Sequence, residues 1–366
     1  MTNSHGIVLA HVNGLAMEGI TFKNNNNASF LHILGSKKVT LNKNKFIGAT
    51  ASTKKPAIIL ESTAKNAKNI SMNWSALDGT PNDTIKMTNN LFENQFSAIE
   101  TKFFERNKHQ LSINMTNNTF SKIRNEAILM TYWKNAELSK NAFKQSARNK
   151  SSVIIAAGAV NPKIKMNTFI ETSQLIIFRN INDSKGEIGT VLSASNKKDL
   201  ATNAGKKLAS YEVSVPASLS EEPVLDSISF MDLDEMNKDV YRFNEQTKPL
   251  NKTYLYRPSY TEKTATYYAL RSIMEQLEEQ GGGKLIIEEG LYTITNSLFV
   301  PSNVTIELEN GATLLKGSET DAPTMPAANS IFQFVAPSKS AVAGAVGGYN
   351  GSQNIKLYST GRATID

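Results

Sequence analysis

A phenylalanine that returns roughly every 23 to 28 residues limits what this chain can fold into more than any other feature. It closes one pattern each time: an apolar residue, a gap, a second apolar residue, then Phe about five positions on. The pattern reads LAMEGITF at Phe22, VTLNKNKF at Phe46, IKMTNNLF at Phe92, INMTNNTF at Phe120, AELSKNAF at Phe143 and PKIKMNTF at Phe169. A unit of this length buries its apolar residues only against its neighbours, so the spacing predicts a solenoid of short stacked strands.

A second apolar strand precedes each Phe strand: GIVLAH, FLHILG, AIILES, AIETKF, AILMTY and VIIAAG. With Ile7, Leu31, Ile58, Ile99, Ile128 and Ile154 taken as equivalent, the interval to the Phe strand is nearly constant in four repeats. It is longer by about 19 residues in the third repeat and about 6 in the fourth, which places inserts at Thr63 to Asn82 and Phe104 to His109, on one corner of the stack. Successive side chains of a strand point to opposite faces. The six equivalent residues therefore point inward, with Leu9, Ile33, Leu60, Thr101, Met130 and Ala156. One outward column holds Val8, His32, Ile59, Glu100, Leu129 and Ile155; its neighbour holds Ala10, Leu34, Glu61, Lys102, Thr131 and Ala157. Apolar residues in these columns, such as Ile59, Leu129 and Ile155, leave room for a cover. Asn44, Asn90, Asn118, Asn141 and Asn167 recur just before the Phe, at a turn where Asn tolerates left-handed geometry and its amide can bond the next repeat. This is read as a structural stack.

Composition adds exclusions. The formal charge of +7 and a pI near 9.2 favour an encounter with a polyanion, whether nucleic acid, acidic polysaccharide or anionic cell wall. With no cysteine there is no disulfide framework, thiolate metal site or cysteine nucleophile, and four histidines leave little for a histidine-rich metal site. No apolar run approaches the roughly 18 residues of a membrane span. Met1 to Gly6 lacks the basic and apolar regions of a signal peptide.

Beyond Ser259 the pattern changes. Leu270, Ile273, Met274 and Leu277 share one helical face, Ser259 and Glu262 have capping-box spacing, and Gly281 to Gly283 end the helix. Short strands follow in GGKLIIEEGLYTI, LFVPSNVTIELENGATLLKG and QNIKLYSTGRATID. The run from Thr264 to Gly317 resembles the N-terminal cap and first coils of pectate-lyase-like right-handed parallel β-helix proteins. In that superfamily such a segment leads to a coil ending like GRATID and then to one like SHGIVLAHVNGLAMEGITFKN. Here GRATID ends the sequence and SHGIV begins at Ser4. The resemblance covers about 110 residues at one end and about 190 at the other. It implies an all-β right-handed parallel β-helix in circularly permuted order, with the capping helix late in the chain. The alternative is a fragment holding parts of two β-helices. The expected organisation is coils over 1–195, a linker or extension over 196–258, and the capping helix with the first coils over 259–366, all in one structural domain.

β-helix enzymes acting on polysaccharides bind along an outward sheet face bordered by long loops, which the resemblance places at the insert corner. There His32, Glu61, Glu100 and Lys102 lie in three consecutive repeats, separated by about 4.8 Å per strand. Glu61 and Glu100 suit a general acid and base or a metal pair; Lys102 or His32 suits neutralising a uronate or abstracting a proton. The other reading is a solvated face with cross-strand ion pairs. Trp74 and Asp78 in the long insert, with Tyr132 and Trp133, suit a sugar ring and its hydroxyls, or Trp74 pins the loop to the body. Arg179 is a carboxylate-clamp candidate. Asp78-Gly79 reads as a turn before a calcium site, so calcium stays open and the metal unspecified. His5 and His11 read as turn residues.

The aspartate signatures of alginate epimerases and polygalacturonases are not legible, nor is the calcium carboxylate cluster of pectate lyases, and this fold also serves adhesins and phage tailspikes. The expectation is an exported lyase or glycoside hydrolase acting on an anionic polysaccharide. Its alternative is a non-catalytic cell-surface glycan-binding protein. Nucleic acid ranks last, since no recognition motif accompanies the charge.

Overall fold

The computed structural model describes residues 6–24, 28–48, 54–63, 72–101, 108–144, 151–155, 159, 162–170, 174–178 and 239–366. Within them the chain is mostly β, arranged in a nine-stranded and an eighteen-stranded sheet, and every ladder is parallel. The repeats alternate between the sheets. Ile7–Ala10, Leu31–Leu34, Pro56–Glu61, Ser97–Glu100 and Ile128–Met130 follow one another in the smaller sheet, while the Phe strands stack in the larger one.

Two side-chain columns fix this register. Phe22, Phe46, Phe92, Phe120, Phe143 and Phe169 stack face to face, with centroids 4.8 to 5.0 Å apart and planes within 12° of parallel. Rings at one strand spacing combine burial with offset stacking, so a slipped repeat loses both. Beside them Asn44, Asn90, Asn118, Asn141 and Asn167 form a buried amide ladder. Asn118 Oδ1 accepts from the Asn90 backbone N–H at 3.0 Å, and Asn118 Nδ2 donates to the Met87 carbonyl at 2.9 Å and to Asn141 Oδ1 at 3.0 Å. The left-handed residue is the one before each ladder Asn: Lys43, Asn89, Asn117, Lys140 and Met166 all have φ between 53° and 58°. A second, shorter ladder at another turn runs from the Ser36 N–H to Asn82 Oδ1 and from the Asn82 N–H to Gln110 Oε1.

The inward column runs Ile7, Leu31, Ile58, Ile99, Ile128 and then Val153, with Ile154 beside Leu129. The expected equivalence of Ile154 is thus one residue out. In an all-apolar Val-Ile-Ile run, period-two alternation vanishes and nothing in the sequence fixes parity.

The two ends of the sequence meet in the stack. Ile7 pairs with Phe332, and Asn13–Lys23 pairs with Gln353–Ile365 in a register that sets Leu15 beside Ile355 and Phe22 beside Ile365. These are the ladders that the order GRATID then SHGIV requires. Met1 lies outside the described residues, but Asn24 Nδ2 donates to Asp366 Oδ2 at 2.7 Å, and Gly6 and Asp366 line one pocket.

Helix α1 (Ala265–Glu279) buries Tyr267, Tyr268, Leu270, Ile273, Met274 and Leu277 against the main core. Its entry is capped by the reciprocal pair Thr261 and Thr264 rather than by Ser259 and Glu262; the Ser259 hydroxyl instead meets Tyr268 Oη. Val240–Phe243, within the stretch expected as a linker or extension, adds a strand parallel to Gly283–Ile287.

Candidate functional site

On the outer face of the smaller sheet, His32 lies beside Ile59, Ile59 beside Glu100, and Leu34 beside Glu61. The expected sharing of a face by His32, Glu61 and Glu100 is therefore present. An open cleft is not. His32 and Glu61 are 4% and 1% exposed, Glu100 is 9% exposed, and His32 Nε2 contacts Glu61 Oε2 at 2.7 Å. A buried imidazole–carboxylate contact needs its partner, because removing either side leaves a buried polar group without that hydrogen bond. Lys102 and Arg179 lie outside the described residues.

The cover is built from two inserts far apart in sequence. Met72 and Trp74 from one, and Val346 from the other, pack with Val335 on Val8, Ala10 and Leu34 as a second small core. Trp74 is 1% exposed and its indole N–H donates to Gln333 Oε1 at 3.0 Å, so it pins the loop and presents no ring to a ligand. Ser75 and Val346 form a parallel bridge. Beneath it, buried His11 sits at φ 59°, with Nδ1 at 2.6 Å from the Gly348 carbonyl and Nε2 at 2.8 Å from Ser75 Oγ. Nδ1 can only donate to a carbonyl, and burial pushes the pKa of His11 down, so its neutral form ties sheet, first insert and second insert together. His11 is thus a turn residue; His5 lies outside the described residues.

Asp78 completes the latch. Partial burial pushes its pKa up, but hydrogen bonds from the Thr80 hydroxyl, the Gly348 N–H, the Thr63 hydroxyl and the Thr80 N–H outweigh that and hold it well below the usual carboxylate range. Four donors between 2.6 and 3.0 Å occupy this carboxylate as an intramolecular acceptor. Gly35, at φ 48°, lets the sheet edge meet the same insert: a Cβ there would come within 2.8 Å of the Thr80 carbonyl.

Trp133 belongs to the main core, 1% exposed, with its N–H on Thr101 Oγ1 at 2.6 Å; it is not a sugar platform. Tyr132, at φ 55°, is half-buried against His109, ring centroids 5.6 Å apart. Among the described residues no group of three or more His, Asp or Glu is placed to hold a metal ion, and no helix is long and apolar enough to cross a membrane.

A pocket of about 420 Å³ opens elsewhere, where the two ends of the sequence meet, over Phe22 and Phe30 and beside Lys316 and Asp366. Burial pushes the Lys316 ammonium down to about 8, while its Nζ donates to the Thr295 carbonyl at 2.7 Å and to the Gly317 carbonyl. Its walls come from segments some 300 residues apart in the chain, so no local pattern signals the pocket.

No protein-family model matches the chain, and no curated protein does. Among solved structures, two of PfbA, a surface adhesin of Streptococcus pneumoniae, are similar at 12% identity and a TM-score of 0.36. One match covers 85% of this chain and 58% of the adhesin chain, the other 98% and 68%, so in the first the chain spans about three fifths of the adhesin's length.

Proposed function

We propose that this is a right-handed parallel β-helix protein of the pectate-lyase-like superfamily, in circularly permuted order, that acts at a cell surface as a non-catalytic binder of anionic glycan. The single observation that carries the non-catalytic reading is the closed outer face. General acid–base catalysis needs a carboxyl group within hydrogen-bond reach of substrate, directly or through one water. Glu61 and Glu100 are instead 1% and 9% exposed, Glu61 against His32, while the neighbouring inserts lock each other through Trp74, His11 and Asp78.

Charge supports the choice of partner. Residues 6–178 hold 22 Lys and Arg against 10 Asp and Glu, whereas 239–366 hold 11 against 13. The basic excess belongs to the repeats. A one-sided distribution of this kind raises the local concentration of a polyanion and speeds its encounter.

Incubation with a panel of uronic-acid and neutral polysaccharides tests the reading, with unsaturated-product absorbance, reducing ends and retained binding all measured. The expected result is binding of the acidic polymers with neither product signal. Sugar release with absorbance would show a lyase, and reducing ends alone a hydrolase; either would overturn the non-catalytic reading.

A further inference from the structure

We infer that the anionic chain lies along the asparagine-turn ridge of the larger sheet, away from the covered face, and is held there by Lys45, Lys86, Lys140 and Lys144. This deepens the proposed function and rests on it. Strand parity sets the first observation. Phe46, Met87 and Phe143 point into the core, so Lys45, Lys86 and Lys144 point out, while Lys140 occupies the left-handed turn position itself; all four are exposed.

The second observation is that these four cations have no ion pair among the described residues. The neighbouring carboxylates are already engaged: Glu18 with Lys43 at 3.1 Å, Glu93 with Lys122 at 3.1 Å, and Asp83 with Lys37 at 3.6 Å. Lys45, Lys86, Lys140 and Lys144 form no ion pair with any described residue. Cations that the fold leaves unpaired keep their full charge for an external partner, with only surface desolvation to offset it.

Geometry selects the partner's shape. The strand bearing Lys45 is followed in the ladder by Leu91–Glu93, Thr119–Ser121 and Ala142–Lys144, so the charges span three strand steps, about 14 Å. Between them the turn column presents the exposed amides of Asn89 and Asn117. One strand step is close to the length of one pyranose ring, so an extended acidic polysaccharide along the ridge meets cations and amides in step with its sugars. Single-stranded nucleic acid would want aromatic platforms, and among the described residues no aromatic side chain of the repeats is largely exposed.

The test is the affinity of the full chain for polygalacturonate at two salt concentrations. One variant carries Lys45→Gln, Lys86→Gln, Lys140→Gln and Lys144→Gln; the control loses the same charge elsewhere through Lys248→Gln, Lys252→Gln, Lys339→Gln and Arg362→Gln. The ridge variant should bind about tenfold more weakly or worse, with a shallower salt dependence, while the control stays within about twofold of wild type. Equal losses in both variants would overturn the ridge and leave the glycan-binding reading standing. Failure of the wild-type protein to bind polygalacturonate or any other acidic polymer would remove that reading itself. Should the quadruple variant unfold in a thermal scan, the pair Lys86→Gln and Lys140→Gln carries the same comparison at half the charge change.

Discussion

The repeats from Ile7 to Ile170 and the segment from Val240 to Asp366 bury their cores in the same stack but are held by different means. In the repeats each position sees the same neighbour one strand away, so stability resides in columns: six phenylalanines, five asparagines, one apolar residue per inward site. The later segment continues the apolar columns, with Leu285 beside Ile306 and Ile306 beside Leu357, but not the Phe and Asn ones. It relies on helix α1 as an end cover and on ion pairs that differ at every site, such as Arg242 with Glu288 and Glu309, Lys263 with Glu319 and Asp321, and Lys284 with Glu307. The contrast teaches where charge goes. The repeats lean on buried columns and leave Lys45, Lys86, Lys140 and Lys144 without an ion pair among the described residues, whereas the cap shares Arg242 and Lys263 between two carboxylates each.

The largest effect should follow from breaking a column at its middle. Phe120→Ala removes a fully buried ring stacked on both sides and is expected to cost about 3–5 kcal/mol in urea unfolding. A loss under 1 kcal/mol would mean that the stack adds nothing beyond each repeat's own packing. Asn118→Ala should cost somewhat less, on the order of 2–3 kcal/mol, because it strands the buried Asn90 N–H and the Met87 carbonyl. In the cap, Lys263→Ala should leave the unfolding midpoint unchanged, since that pair is exposed and screened.

A smaller, local effect distinguishes the cover from the body of the stack. Asp78 has a depressed pKa when folded, so its contribution to the latch is complete above the unfolded value of about 3.9 and is lost as pH falls below it. In a Trp133→Phe background Trp74 is the sole tryptophan, and its emission should shift to the red below about pH 4 before far-UV dichroism changes. Asp78→Asn should abolish that early acid step. Coincident loss of both signals would mean that the cover unfolds only with the whole stack.

What was legible in the sequence follows the same division. The Phe and Asn columns could be read because each recurs at a fixed offset, and the shared face of His32, Glu61 and Glu100 followed from parity alone. The cover could not be read: Trp74 meets Gln333 across 259 residues and His11 meets Gly348 across 337, contacts that no local pattern encodes. Parity alone reads Glu61 as a solvent-facing acid, although it is buried against His32. Trp133 misled for a related reason, since an aromatic pair after a short strand carries no signal separating a core position from a platform. Parity also failed where it had no contrast to work with, at Val153 and Ile154.

The stack requires the last strand to lie beside the first, and a cross-link measures that directly. Thr21 and Thr364 are register partners on adjacent strands, and the chain has no cysteine of its own. Neighbouring strands lie about 4.8 Å apart, within the Cα range of a disulfide, so the Thr21→Cys, Thr364→Cys protein should close an intramolecular link under mild oxidation in dilute solution. A linked monomer, running faster than its reduced form on a denaturing gel, is the predicted result. Thiols that stay free, or link only between chains, would contradict the stacking and the account built on it.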